Sequence, residues 1–405
     1  LVVIKALSAV TATLADGSTY YASPVYSLGA DLGSGSFVVY GGSANSVTIT
    51  GLTPATTYYV TVYEYNGSGG TENYRTTGVS GSFTTQNAPL GLQVKAANTV
   101  YNIDFDNTLE GVNNSTYAGA ALDALPDVGE LNSNAFVLSA ATTTGVTFGT
   151  DILDDDPGYG NGTSDGGETD GGYYAFQVAS GNYALGFQID PLNPSSSTTL
   201  RFQNQTGAAI TSLNIGYKIY VRNDEAGSDS YNFSHSPTNA NNATFTAAPV
   251  LNQATGAAAD ALPGWKMHYK VITLTGLNIS ANSYYYLRWS NESVSGTAYD
   301  EVALDDISIV ANPTTNFSTV AGIAETAVLA GNAQLNGAAT VSSDITFNGG
   351  KLYIGANTLT LKGSVTNTTA AGLSGGSAAS LNVSGSVSPA LSFDQTTVGT
   401  TNQLN

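Results

Sequence analysis

Residues 284–310, YYYLRWSNESVSGTAYDEVALDDISIV, read as the last two strands of a large sandwich and end in paired carboxylates. Tyr284 to Trp289 is almost wholly aromatic and apolar, which suits a strand covered in part on both faces. In the second run, Val302 to Val310, strict alternation puts Leu304 and Asp306 on one face and Asp305, Ile307 and Ile309 on the other. One acid is then aimed at the apolar side. A carboxylate facing a core costs several kcal/mol unless it is paired, hydrogen-bonded or bound to a cation, and calcium is the candidate cation.

The rest of the composition agrees with an all-β chain. Its 405 residues exceed what one core usually holds, and the length prior is two to four domains. β-Branched and aromatic residues recur in short runs between Gly and Asn turns, long 3.6-residue apolar patterns are missing, and almost no helix is expected. Without cysteine there is no disulfide framework. No run of about 18 apolar residues predicts insertion into a membrane. With 30 acidic against 11 basic residues the net charge is −19, which argues against nucleic acid as a partner and favours divalent cations. The chain opens in what reads as mid-strand, as expected for part of a longer polypeptide.

Residues 1–86 form a first unit of short alternating strands. The segment GLTPATTYYVTVYEYNGSGGTENYRTT, residues 51–77, resembles fibronectin type III domains of large secreted proteins from Bacteroidota-type bacteria, and LVVIKA at the start resembles their second strand, with the first one missing. The family's corner matches Leu52, Pro54, Thr56 and Tyr58, and the resemblance implies that the Tyr58 hydroxyl ties the corner to upstream backbone. Glu64 continues the face of Val60 and Val62 and marks where that strand leaves its core. Residues 87–99, with Pro89, read as a linker.

The second unit, 100–312, opens with VYNIDFD and closes with ALDDISI. These ends resemble jelly-roll modules of bacterial surface proteins, akin to MAM-like and cleaved-adhesin domains, and sandwich modules attached to some secreted nucleases. The resemblance implies a structural calcium between first-strand and last-strand acids, which are Asp104 or Asp106 with Asp305 or Asp306 here. A network satisfied by backbone amides is the alternative. Between these ends, residues 151–172 carry seven acids and seven glycines without the spacing of an EF-hand, and read as a solvated acidic loop.

Aromatic side chains suit a sugar platform, because a flat ring stacks on a pyranose face while Asn, Gln and Asp bind hydroxyls. Trp265, in PGWKMHYK, is expected to be more exposed than Trp289 and is the stacking candidate. His235 and His268 stand apart without metal-ligand spacing and read as surface residues. No nucleophile elbow, cysteine nucleophile, histidine cluster or phosphate loop occurs, so no enzymatic activity is expected.

In residues 313–405 the apolar pairs Ile345/Phe347, Leu352/Ile354 and Leu359/Leu361 step by seven, which predicts the start of a three-sided parallel β-solenoid with about 21 residues per coil. A hairpin meander is the rival, since Asn348-Gly349 is also a hairpin turn. This segment resembles solenoid repeats of the same large bacterial surface proteins. The expectation is therefore a non-catalytic structural or adhesive section of an extracellular or cell-surface protein, a link in a fibre or stalk whose partners are further copies or domains. The alternative is a carbohydrate-binding accessory region of a secreted polysaccharide-degrading enzyme or nuclease, with glycans as partners.

Overall fold

The structure, a computed structural model, describes residues 1–85, 91–140, 147–152, 158–190, 195–239, 244–296, 298–367, 372–376 and 378–384. Among them the chain is all-β, with one short 3-10 turn at Pro249–Leu251. It divides into two compact units, Leu1–Ala88 and Pro89–Asn405.

The first unit is built on a four-stranded antiparallel sheet in the order Ser36–Tyr40, Val2–Ala6, Thr57–Val62, Val79–Thr84. Val2–Ala6 is thus an interior strand, paired on both sides. Alternation sorts its side chains: Leu1 and Val3 join Val38, Tyr63 and Tyr74 on one face, while Ile4 joins Val39 and Tyr58 on the other. Segments carrying Leu14, Tyr20 and Leu32 cover the first face, and Tyr26, Ile49 and Leu52 cover the second. Tyr58 is fully buried and its hydroxyl oxygen accepts the Thr53 N–H at 2.9 Å, across the corner that leads into its strand. Glu64 lies just past the end of Thr57–Val62, in an exposed ion pair with Arg75.

The second unit begins earlier than its sequence suggests. Leu92–Val94, within the segment read as linker, is a strand parallel to Ser196–Asn204, and Leu92 and Val94 are buried in the sandwich core. An apolar-polar-apolar triplet is too short to reveal its partner, so only long-range pairing distinguishes it from a loop.

Two sheets enclose that core. One has seven strands, with the path Phe136–Ala140, Ser196–Asn204, Tyr284–Ser295, Ser228–Ser236, Thr246–Ala247. The other has ten, and its centre is Asn182–Gln188, Glu301–Ala311, Ile210–Arg222 and Lys266–Ile279, all antiparallel. Leu287, Trp289 and Phe233 from the first meet Tyr217, Leu304 and Ile307 from the second, and Trp289 stands edge-on to Tyr217 at 5.3 Å.

Beyond Lys266–Ile279 the larger sheet turns parallel. Thr326–Ala330 pairs with it, then Ile345–Phe347, then Val365–Asn367. Two further parallel columns run beside this one, Leu352 pairing with Leu373 and Leu359 with Leu381. The three apolar pairs stepping by seven therefore lie on successive sides of one coil, and Ile345, Phe347, Leu352, Ile354, Leu359 and Leu361 fill its interior. Parallel register overturns the hairpin rival. One wall of the coil is a continuation of the sandwich sheet, so its first turn is seated on Lys266–Ile279.

Candidate functional site

The paired acids of the last strand sit where its neighbour changes. Along one edge of Glu301–Ala311, residues 301–304 pair with Asn182–Gln188 and residues 307–310 with Val100–Ile103. On the other edge the register against Ile210–Arg222 shifts between Gly216 and Lys218, which makes a β-bulge at Asp306, whose φ is +47°. The extra residue resets the alternation. Leu304, Ile307 and Ile309 all enter the sandwich core, while Asp305 and Asp306 fall on the opposite face with Lys218. Strict alternation had aimed one acid at the core with Ile307 and Ile309; the bulge corrects that.

The first-strand acids Asp104 and Asp106 and the last-strand acids Asp305 and Asp306 are neighbours here, because Val100–Ile103 delivers the first pair to the seam. Asp106 Oδ1 accepts the Tyr183 N–H at 2.7 Å, and Asp104 Oδ1 accepts the Asp106 N–H at 2.8 Å. Asp305 Oδ1 accepts the Asp306 N–H at 2.7 Å, and Asp306 Oδ1 accepts from Asn102 Nδ2 at 3.2 Å. Burial and then the Asp306 charge push the Asp305 carboxyl well above its usual range. Lys218 supplies the positive charge, its Nζ 2.5 Å from Asp306 Oδ2. None of the four acids keeps a buried oxygen without a partner, and among the described residues no three acids, histidines or cysteines are grouped as a metal site.

The open face of the seven-stranded sheet is chemically richer. Tyr284–Ser295 turns Tyr285, Leu287 and Trp289 inward, so Tyr284, Tyr286, Arg288 and Ser290 point outward, opposite Ser197, Thr199 and Arg201 of the adjacent strand. A groove of about 480 Å³ crosses this face. Its floor is Ser197, Thr199, Ser234 and Ser290, and its walls include Arg288 and Glu292. Arg288 Nε donates to Thr199 Oγ1 at 3.0 Å, Nη2 donates to Asn239 Oδ1 at 3.1 Å, and its guanidinium lies 3.6 Å over the Phe245 ring. Glu292 accepts from Ser290 Oγ at 3.2 Å and Asn232 Nδ2 at 3.0 Å. On the same face Arg201 is held between Phe148, at 4.3 Å, and Tyr284, at 4.5 Å, and Tyr286 packs on Phe148. Serine, threonine and asparagine beside a fixed guanidinium and a carboxylate offer hydrogen-bond donors and acceptors of the kind that bind hydroxyls.

Trp265 is elsewhere. It is half-buried against Phe176, ring centres 5.0 Å apart, and its Nε1 donates to the Asp165 carbonyl at 2.9 Å. Both histidines are more buried than expected: His235 Nδ1 is 2.7 Å from Tyr285 Oη, and His268 contacts Thr326 Oγ1 with burial pulling it down to about 3. Each pairs with a strand neighbour that sequence separation hides. Of the acidic loop, Asp154, Asp155 and Asp156 lie outside the described residues. The groove itself was missed, although Arg288, Ser290 and Glu292 at every second position carry its signal.

No family model and no curated protein matches the chain. Solved structures do. The K1 cleaved adhesin domain of Lys-gingipain from Porphyromonas gingivalis overlaps at 15% identity and TM-score 0.27, over 53% of this chain and 99% of that one. The K2 cleaved adhesin domain of Lys-gingipain overlaps at 15% and 0.28, over 52% and 98%. A carbohydrate-binding module specific for non-crystalline cellulose overlaps at 12% and 0.23, over 36% and 83%. Overlaps this low carry nothing about function, which rests on the groove.

Proposed function

We propose that this chain is a non-catalytic adhesive section of an extracellular or cell-surface protein, and that it binds a neutral polysaccharide along the open face of the seven-stranded sheet. The groove of about 480 Å³ carries this reading. Its polar groups match sugar hydroxyls. A neutral chain is favoured over a polyanion: Arg288 is engaged by Thr199, Asn239 and Phe245, Glu292 adds a negative charge, and the whole chain carries −19.

The test is affinity electrophoresis and calorimetry of the full chain with soluble galactans, glucans and xylans. Binding to at least one is expected, insensitive to 0.5 M salt, and weakened roughly tenfold by Glu292→Ala, with melting unchanged. Failure to bind any of these, or binding unaffected by both Glu292→Ala and Arg288→Ala, would overturn the reading. A structural role as a link in a larger assembly is supported by the coil, whose parallel turns can be extended by further repeats of the same length.

A further inference from the structure

A second group of carboxylates lies where the turn after Ile210–Arg222 meets the turn before Glu301–Ala311. Gly227 and Ala298 bring the two turns together, since a Cβ at Gly227 would collide with the Ala298 carbonyl oxygen. Asp229 and Asp300 are thereby buried side by side, 3% and 1% exposed. Each has one satisfied oxygen. Asp229 Oδ2 accepts from Asn291 Nδ2, and Asp300 Oδ1 accepts the Glu225 N–H at 3.1 Å. Asp229 Oδ1 and Asp300 Oδ2 have no partner.

Thr255 stands between the two carboxylates. Its Oγ1 accepts the Asp229 N–H at 3.0 Å and is in contact with both acids, but a hydroxyl has one proton to donate and can serve only one of them. The Arg222 guanidinium is committed to Asp224 at 2.8 Å and faces Glu301 at 3.9 Å. Among the described residues neither Asp229 nor Asp300 has an ion-pair partner.

We propose that Asp229 and Asp300 bind a divalent cation of the calcium type, with their orphaned oxygens as the anionic ligands and the Thr255 hydroxyl and water completing an all-oxygen shell. The chemistry selects a hard cation, because among the described residues the candidate ligands at the pair are all oxygens. With two carboxylates rather than three or four, affinity belongs in the weak extracellular class, about 10⁻⁴–10⁻³ M. The site lies under the groove: Asn291, which holds Asp229, also bonds to Ser196, and both line the groove. Cation binding therefore fixes one part of the groove floor, although the site stands whether or not the groove takes a glycan.

The experiment is melting of the full chain at pH 7.5 in 5 mM calcium and in chelator, together with calcium calorimetry, for wild type, Asp229→Asn, Asp300→Asn and Asp305→Asn. Calcium is expected to raise the wild-type and Asp305→Asn midpoints, and either of the other two changes is expected to weaken binding at least tenfold. No calcium effect on wild type, or an effect lost in Asp305→Asn but kept in Asp300→Asn, would overturn the assignment. Should the variants fail to fold, anomalous scattering from terbium-soaked wild-type crystals decides: a peak between Asp229 and Asp300 supports the site, and a peak elsewhere or none refutes it.

Discussion

Asp305 and Asp229 are both buried acids, but only Asp305 has a cation in its neighbourhood, the Lys218 that pairs with Asp306. Asp305 shares a seam with Lys218, whereas Asp229 faces Asp300, and a pH prediction follows from the difference. Asp229, Asp300, Glu301 and Asp305 all hold their protons more tightly in the folded chain, chiefly because burial disfavours the charged form. Unfolded carboxyls titrate near 4, so the folded state binds more protons above that value and its stability falls as the pH rises. His268 opposes this only between about 3 and its ordinary 6.5, and Lys270, lowered to about 8 by burial, opposes it only above about 8. In chelator, the melting temperature should therefore drop from pH 6.5 to 8. Asp229 alone accounts for about 1 kcal/mol, or about 2–4 °C. Asp229→Asn should flatten the profile, and a rise in midpoint over that window would contradict the burial account.

At the scale of elements, the coil was legible, and so was the last strand, but not the face that each of its residues takes. Pairs stepping by seven announce three sides of a coil because each side is short and needs only two inward residues, a local pattern that survives without knowledge of partners. The bulge at Asp306 leaves no such trace: one inserted residue moves every later side chain to the other face, and only the register against Ile210–Arg222 reveals it. The coil interior makes its own prediction. Leu359 is fully buried between Ala339 and Leu381 in its column, so Leu359→Ala should cost about 2–5 kcal/mol. Chemical denaturation checks this; a loss under 1 kcal/mol would mean that the column is not packed as described.

For the molecule as a whole, the division into Leu1–Ala88 and Pro89–Asn405 predicts separable stability. Each unit has its own buried clusters, the first around Val3 and Ile4 and the second around Trp289 and the coil interior. A fragment comprising Pro89–Asn405 should fold alone and melt within about 2 °C of the corresponding transition in the full chain. Calorimetry of both is the check, and a fragment that fails to fold would show that the first unit is required. No such separation is expected between sandwich and coil, which share the strand pairing of Lys266–Ile279 with Thr326–Ala330.

The amino-acid sequence by itself determined the all-β class and the step of the coil, while the corner at Tyr58 and the meeting of first-strand and last-strand acids came from resemblance to known families. Each of these depends on local alternation, turn chemistry or the ends of one sheet. Tertiary structure alone decided that Lys218 meets those acids, that Arg288, Ser290 and Glu292 line a groove, that Trp265 lies against Phe176 apart from that groove, and that Asp229 and Asp300 lie together at two turns. Those outcomes depend on which strands become neighbours and in what register, and side-chain alternation within one strand contains no term for its partner.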